Sequence, residues 1–262
     1  MGSPSSFRRD GAVVMSTGRV AIVTAASSGI GAACAREFAA RGYHLALMSR
    51  SGAVQDLARE LHGIGIEGSV TDPQHVERLV STALEAFGRI DGAVVSTGHA
   101  LATTSPSRTA VPVGADSRLL DIPDDDWRAA FELYFLHAVS VTRAVVPAMQ
   151  KGGGGSIVIV SSFSARNPDY SDPTSSTIRR ALSGFTKLCS DRLGASRIRV
   201  NNLLPGFLEN WEWSDELMAA IPLGRPGALR EIAGTAAFLL SDDAGYITGQ
   251  DVVVDGGASR GV

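Results

Sequence analysis

The chain has little cysteine, little net charge and no obvious membrane segment. Each of these absences excludes a class of function. Only two cysteines occur in 262 residues, Cys34 and Cys189, and both fall in stretches that read as helix. They are read as small core residues rather than a disulfide or a metal pair, which points to a reducing cytoplasm. The net charge is -3, so nothing attracts the chain to nucleic acid or an anionic membrane. No apolar run is read as approaching membrane-spanning length. No internal repeat is present. What remains is a chain with 44% hydrophobic and 19% charged residues, the composition of one globular domain with a large core. Residues 1–17 are Gly/Ser-rich and carry Arg8 and Arg9; they are expected to form a disordered extension before a single domain at 18–262.

The most informative stretch runs from Arg19 to Gly31, R-V-A-I-V-T-A-A-S-S-G-I-G. Val20, Ile22 and Val23 have the composition of a buried strand. A turn of small residues follows, and then a helical pattern of Ile30, Cys34, Phe38 and Ala39 that ends at Arg41-Gly42. A strand that enters a helix this way aims the free N–H groups of the helix start at one point, where they attract a phosphate.

Further strands are predicted at 44–49, 64–70, 93–96, 156–161, 197–204 and 251–254, with helices at 54–61, 73–87, 127–150, 174–193 and 227–240. Alternating elements with continuous apolar strands imply a parallel sheet covered on both faces. The predicted fold is α/β, a Rossmann-like doubly wound parallel sheet in three α/β/α layers. Ligands in such sheets bind beyond the strand C-termini. The acidic run Asp124–Asp126 is read as capping and dipole compensation for the helix that follows. That helix is apolar on nearly every side, so the helices at 124–150 and 174–193 are expected to form a homo-oligomer contact, as a dimer or tetramer. The stretch from Ala100 to Asp121 is long and irregular, which marks a functional or a disordered loop.

From Gly18 to Gly257 the chain resembles the classical short-chain dehydrogenases/reductases. The resemblance rests on Thr24…Ser28-Gly29-Ile30-Gly31, Gly88-Arg89-Ile90-Asp91, Ser156-Ile157-Val158…Ser161-Ser162, Ile198-Arg199-Val200-Asn201-Asn202…Pro205-Gly206, Pro222-Leu223-Gly224-Arg225 and Ile247-Thr248-Gly249-Gln250…Val254-Asp255-Gly256-Gly257. It implies a nicotinamide dinucleotide held by Thr24, Ser27, Ser28, Gly29, Ile30, Gly31, Val70, Gly98, Pro205, Gly206 and Asn210. The first loop glycine is replaced by Ala25. Arg50 follows Ser49, where an NAD-preferring enzyme often has an acid, and this pair suits a 2′-phosphate, hence NADP(H) over NAD(H).

The resemblance also implies a serine, a Tyr-x-x-x-Lys pair and an asparagine as the catalytic groups. Ser162 keeps the serine. The tyrosine position is Ser175, the lysine position Arg179 and the asparagine position Tyr134. A serine hydroxyl is too weak an acid to stand in for the phenol, and arginine cannot release a proton. Tyr134, Tyr170 and His99 are therefore the alternative proton donors, and Arg179 remains able to bind ribose or phosphate. His137, on the apolar helix, reads as a satisfied core or interface residue. Trp211 and Trp213 fall where relatives have a substrate lid, which suits an apolar or ring-shaped substrate. The expected function is an NADP(H)-dependent oxidoreductase acting on a carbonyl, alcohol or conjugated C=C. A non-redox enzyme and an inactive subunit are the alternatives.

Overall fold

A computed structural model describes residues 18–97, 118–168 and 172–260. The N-terminal extension and most of the Ala100–Asp121 stretch lie outside the described residues. Seven strands form one sheet: β1 (Val20–Thr24), β2 (His44–Ser49), β3 (Ile64–Glu67), β4 (Gly92–Val95), β5 (Gly155–Val160), β6 (Ile198–Pro205) and β7 (Asp251–Val254). Their order is β3-β2-β1-β4-β5-β6-β7, and every neighbouring pair is parallel. This is the doubly wound sheet predicted from the alternation of elements. The order reverses between β1 and β4, which opens a crevice beyond their C-terminal ends.

Successive strand residues point to opposite faces, so each strand feeds two cores. Ala21, Val23, Val94, Val158 and Val160 pack with α1 (Gly29–Ala40), α2 (Ala53–Glu60) and α8 (Leu229–Leu240). Ile22, Ala93, Val95, Ile157 and Ile159 pack on the other face with α3 (Pro73–Phe87), α5 (His137–Lys151) and α6 (Pro173–Leu193). Several motif residues prove to be joints of this frame. Asp91 accepts a hydrogen bond from the Val20 amide at 2.8 Å and also pairs with Arg89. Asn201 ties β6 to Ile247 and Gln250, and Asn202 reaches Asp251 and Thr186.

Four expectations need correction. The third strand stops at Glu67, not Val70, because its partner β2 ends at Ser49 and the Gly68 amide turns back to the Ser49 carbonyl. The acids at 124–126 lie inside the first turn of α4 (Asp124–Phe131), and the N-cap is Pro123, which offers no side-chain bond. The long helix is not uniform: a π turn at Glu132–Leu136 separates α4 from α5. Finally, Asp124–Lys151 is, by length and composition, apolar enough to cross a membrane. Here Ala138, Val141, Val145 and Met149 are buried in the core against the sheet.

Candidate functional site

The first wall of the crevice is the β1–α1 turn. Ala25 adopts φ 52°, a left-handed conformation that an alanine side chain disfavours. Its carbonyl lies under Gly31, where an added Cβ would meet it at 2.3 Å. Only glycine lets α1 start that close to the turn. Gly29 is also left-handed, at φ 53°, and faces open space with only the Asn210 amide nitrogen nearby, at 3.9 Å from a built Cβ. Asn210, after β6, thus lies across from the glycine turn.

Ser28 is the N-cap of α1 but makes no side-chain cap bond, and the first turn of α1 carries no acid. The helix start therefore keeps its N–H groups and its positive end for a ligand. The residues present fit the diphosphate of a dinucleotide. Ser27 accepts a 2.7 Å hydrogen bond from Ser49, which fixes the turn to the end of β2. Arg50, next in the chain, is exposed and pairs with no acid among the described residues. Thr24 is fully buried and joins β1 to Ser96 at the end of β4, at 2.6 and 2.8 Å. Its hydroxyl serves the frame rather than the crevice surface. Ile30 packs against the core, and Val70 is buried in the turn after β3. Pro205 ends β6 beside Val254, and Gly206 sits so close to Asp255 that an added Cβ would meet it at 2.6 Å.

The second wall is built by β5, α6 and the π turn. Ser162 caps the short 3-10 turn Phe163–Ala165 and accepts hydrogen bonds from the Ser164 amide and hydroxyl, at 3.2 and 2.9 Å. Its own proton is left for a ligand. Ser175 and Arg179 are one turn apart on α6, and both are buried. Arg179 Nε donates to Ser175 Oγ at 3.0 Å, and Nη1 donates to the Val160 carbonyl at 3.3 Å. Its guanidinium carbon lies 4.4 Å from the centroid of the Tyr134 ring. Tyr134 comes from the π turn, so the extra residue of that turn brings a phenol onto the α6 pair. Ser175, Arg179 and Tyr134 are thus in contact, and Ser162 follows two residues after the carbonyl that Arg179 grips. Gly98, His99 and Tyr170 lie outside the described residues.

Burial pushes the Arg179 guanidinium below its usual range, and Tyr134 and Asp172 only partly oppose this. One turn along from Tyr134, His137 is 1% exposed. Neither of its ring nitrogens has a hydrogen-bond partner among the described residues. Burial, aided by the charge of Arg179, pushes its pKa down to about 3; the Leu133 carbonyl pulls the other way without reaching hydrogen-bond geometry. The satisfied core histidine expected from sequence is thus a buried and unsatisfied one.

The lid residues are also more constrained than expected. Trp213 donates to the Leu208 carbonyl at 2.8 Å and stands edge-on to Phe207, with ring centroids 4.8 Å apart. Phe207 in turn packs on Phe163 at 5.0 Å. Nothing in the sequence singles out Phe163 and Phe207, although each directly follows a motif, Ser161-Ser162 and Pro205-Gly206. Trp211, two residues before Trp213, is exposed.

A family model described as Enoyl-(Acyl carrier protein) reductase matches residues 24–259. Dehydrogenase/reductase SDR family member 4 of Oryctolagus cuniculus is 36% identical over 255 residues, which cover 92% of this chain and 93% of that protein. The chain belongs to the short-chain dehydrogenases/reductases. It is also similar to the 3-oxoacyl-[acyl-carrier-protein] reductase of Escherichia coli strain K12, at 32% identity over 251 residues, covering 92% of this chain and 97% of that one. Among solved structures, L-sorbose reductase from Gluconobacter frateurii, complexed with NADPH and L-sorbose, superposes with a TM-score of 0.82. That match has 27% identity and covers 96% of this chain and all of the other. This short-chain dehydrogenase/reductase thus shares its frame with oxidoreductases, and Ser175, Arg179 and Tyr134 stand at the positions the sequence resemblance aligned with catalytic groups.

Proposed function

We propose that the chain is an NADP(H)-linked oxidoreductase in which Tyr134 replaces the missing tyrosine as proton donor. The observation that carries this reading is the Arg179 guanidinium held 4.4 Å from the Tyr134 ring. A fixed cation against a phenol stabilises the negative charge that develops when the phenol gives up its proton. The pair of phenol and cation that the family builds along one helix is rebuilt here between the π turn and α6. Ser162 donates its free proton to the substrate oxygen and polarises it. The open start of α1 binds the diphosphate, and Arg50 binds a 2′-phosphate. When bound, a reduced nicotinamide supplies the hydride. The Phe163–Phe207–Trp213 stack gives the substrate an apolar wall, which suits a small apolar or cyclic carbonyl, alcohol or conjugated C=C compound. The similar L-sorbose reductase is complexed with NADPH, which supports the choice of dinucleotide. Self-association through α4, α5 and α6 belongs to the same reading. It is supported by a groove lined with Trp127, Phe131, Leu136 and Ile178, where Phe131 and Leu136 are about two-fifths exposed.

Titration of the intrinsic tryptophan emission tests the cofactor. NADPH should quench it, and Arg50→Ala should weaken NADPH about fivefold, or about 1 kcal/mol for an exposed charge pair, while leaving NADH unchanged. Equal weakening of both would refute the role of Arg50. Among carbonyl compounds turned over with NADPH, Tyr134→Phe should lower kcat about a hundredfold or more with cofactor affinity intact. The ring that supports Arg179 is kept in that variant, so an unchanged kcat would remove Tyr134 from the mechanism.

A further inference from the structure

Arg179 is a cation 4% exposed, and among the described residues no carboxylate forms an ion pair with it; the charge of Asp172 acts on it only partly against burial. A buried charge without a contacting counter-ion is costly, and folded chains usually pair it. Its guanidinium has five N–H groups. One goes to Ser175 and one to the Val160 carbonyl, and the others meet no described acceptor. The hydroxyls around it can donate as well. Ser162 Oγ accepts twice from Ser164, which leaves it only its proton to give, and Ser175 Oγ accepts once from Arg179 and keeps its proton. The corner at the end of β5 therefore carries more donors than acceptors. Such an excess of donors beside a cation favours an anion.

We propose that Arg179, with Ser175, receives a carboxylate of the substrate, so that this site reduces oxo acids or oxidises the corresponding hydroxy acids. This rests on the oxidoreductase reading above for its reaction, though not for its binding. The carboxylate takes the guanidinium N–H groups that Ser175 and Val160 do not fill, and Ser162 is left for the reacting carbonyl. In the reductive direction the carbonyl carbon gains a hydride as the dihydronicotinamide is oxidised. The carbonyl oxygen takes the proton of Tyr134, giving the hydroxy acid. The site explains why arginine suits the position: a planar fork holds a carboxylate with two parallel hydrogen bonds, which a lysine ammonium does not. The chain's net charge of -3 gives no general attraction for anions, so such binding reports a built site.

The test compares benzoate with benzamide, two probes of nearly the same shape, on the full chain by calorimetry, with and without saturating NADPH. Benzoate should bind at least tenfold more tightly than benzamide in both conditions. Arg179→Met should abolish the preference, and Arg179→Lys should keep part of it. Equal affinity of the two probes for the wild-type chain would overturn the proposal, and that comparison stands even if Arg179→Met fails to fold. Loss of the preference when NADPH is bound would also overturn it, because Arg179 would then serve the cofactor. NADPH titration of the same samples separates the two readings. NADPH binding without a benzoate preference sinks only the carboxylate site; a benzoate preference without NADPH binding sinks the oxidoreductase reading and leaves the anion site standing.

Discussion

His137 gives the protein a calculable sensitivity to acid. In the folded chain the ring titrates at about 3, against 6.5 for an ordinary histidine. Between those values only the unfolded chain binds the proton, so acid favours unfolding. Stability is full above 6.5 and falls as the pH drops towards 3. At about pH 5, 1.5 below the unfolded value, the loss is 1.5 × 1.36, or about 2 kcal/mol. That figure hardly depends on the folded pKa, provided it lies well below 5, because the unfolded value sets where the loss begins. For a chain of this size it corresponds to a fall in Tm of about 4–8 °C. His137→Phe removes the titration and also two unsatisfied buried nitrogens, so its stability at about pH 8 should equal or exceed that of the wild type. Urea unfolding of both proteins at about pH 5 and 8 isolates the histidine, because every other titrating group is common to the pair. The wild type should lose about 2 kcal/mol more than the variant. Parallel losses would show that the ring is hydrated or paired when folded, and would refute the burial argument.

Two other substitutions probe the frame and the exposed face. Gly31→Ala places a methyl 2.3 Å from the Ala25 carbonyl, so α1 or the turn must shift; a stability loss of about 1–3 kcal/mol and weaker NADPH quenching are expected, and an unchanged melt would mean the turn is free to move. Phe131→Glu puts a charge on the apolar groove of α4, and should lower the mass measured by light scattering if the groove joins two copies. An unchanged mass would place any self-contact elsewhere.

Much of the frame was legible because its signals are local. A run such as Val20–Val23 announces a buried strand whatever its partners, and a motif such as Asn201-Asn202 fixes a register along the chain. Ser162, Ser175, Arg179 and Tyr134 could be placed by counting from such motifs. Their contacts could not. That Arg179 lies on the face of Tyr134 depends on one extra residue in a π turn, and no periodicity shows a π turn when every side of the helix is apolar. The same helix misled in a second way: its membrane-like composition reflects burial against a sheet on one face and an apolar groove on another. The left-handed φ of Ala25 was likewise hidden, since alanine in a sequence gives no sign of a conformation it disfavours.

The motifs that carry the resemblance serve mainly the frame. Asp91 fixes β1, Thr24 joins β1 to β4, and Asn201 and Asn202 hold β6 against the β7 segment. None of these contacts touches Ser162, Ser175, Arg179 or Tyr134, so they fix the frame whatever the chemistry at the strand ends. Ser175, where the resemblance places a tyrosine, is a short hydroxyl that accepts from Arg179, and Arg179, where it places a lysine, is a fork broad enough to reach Ser175, Val160 and the Tyr134 ring at once. Ser175, Arg179 and Tyr134 form one packed arrangement around a buried positive charge that Asp172 only partly offsets, and that charge is what the proposed chemistry uses.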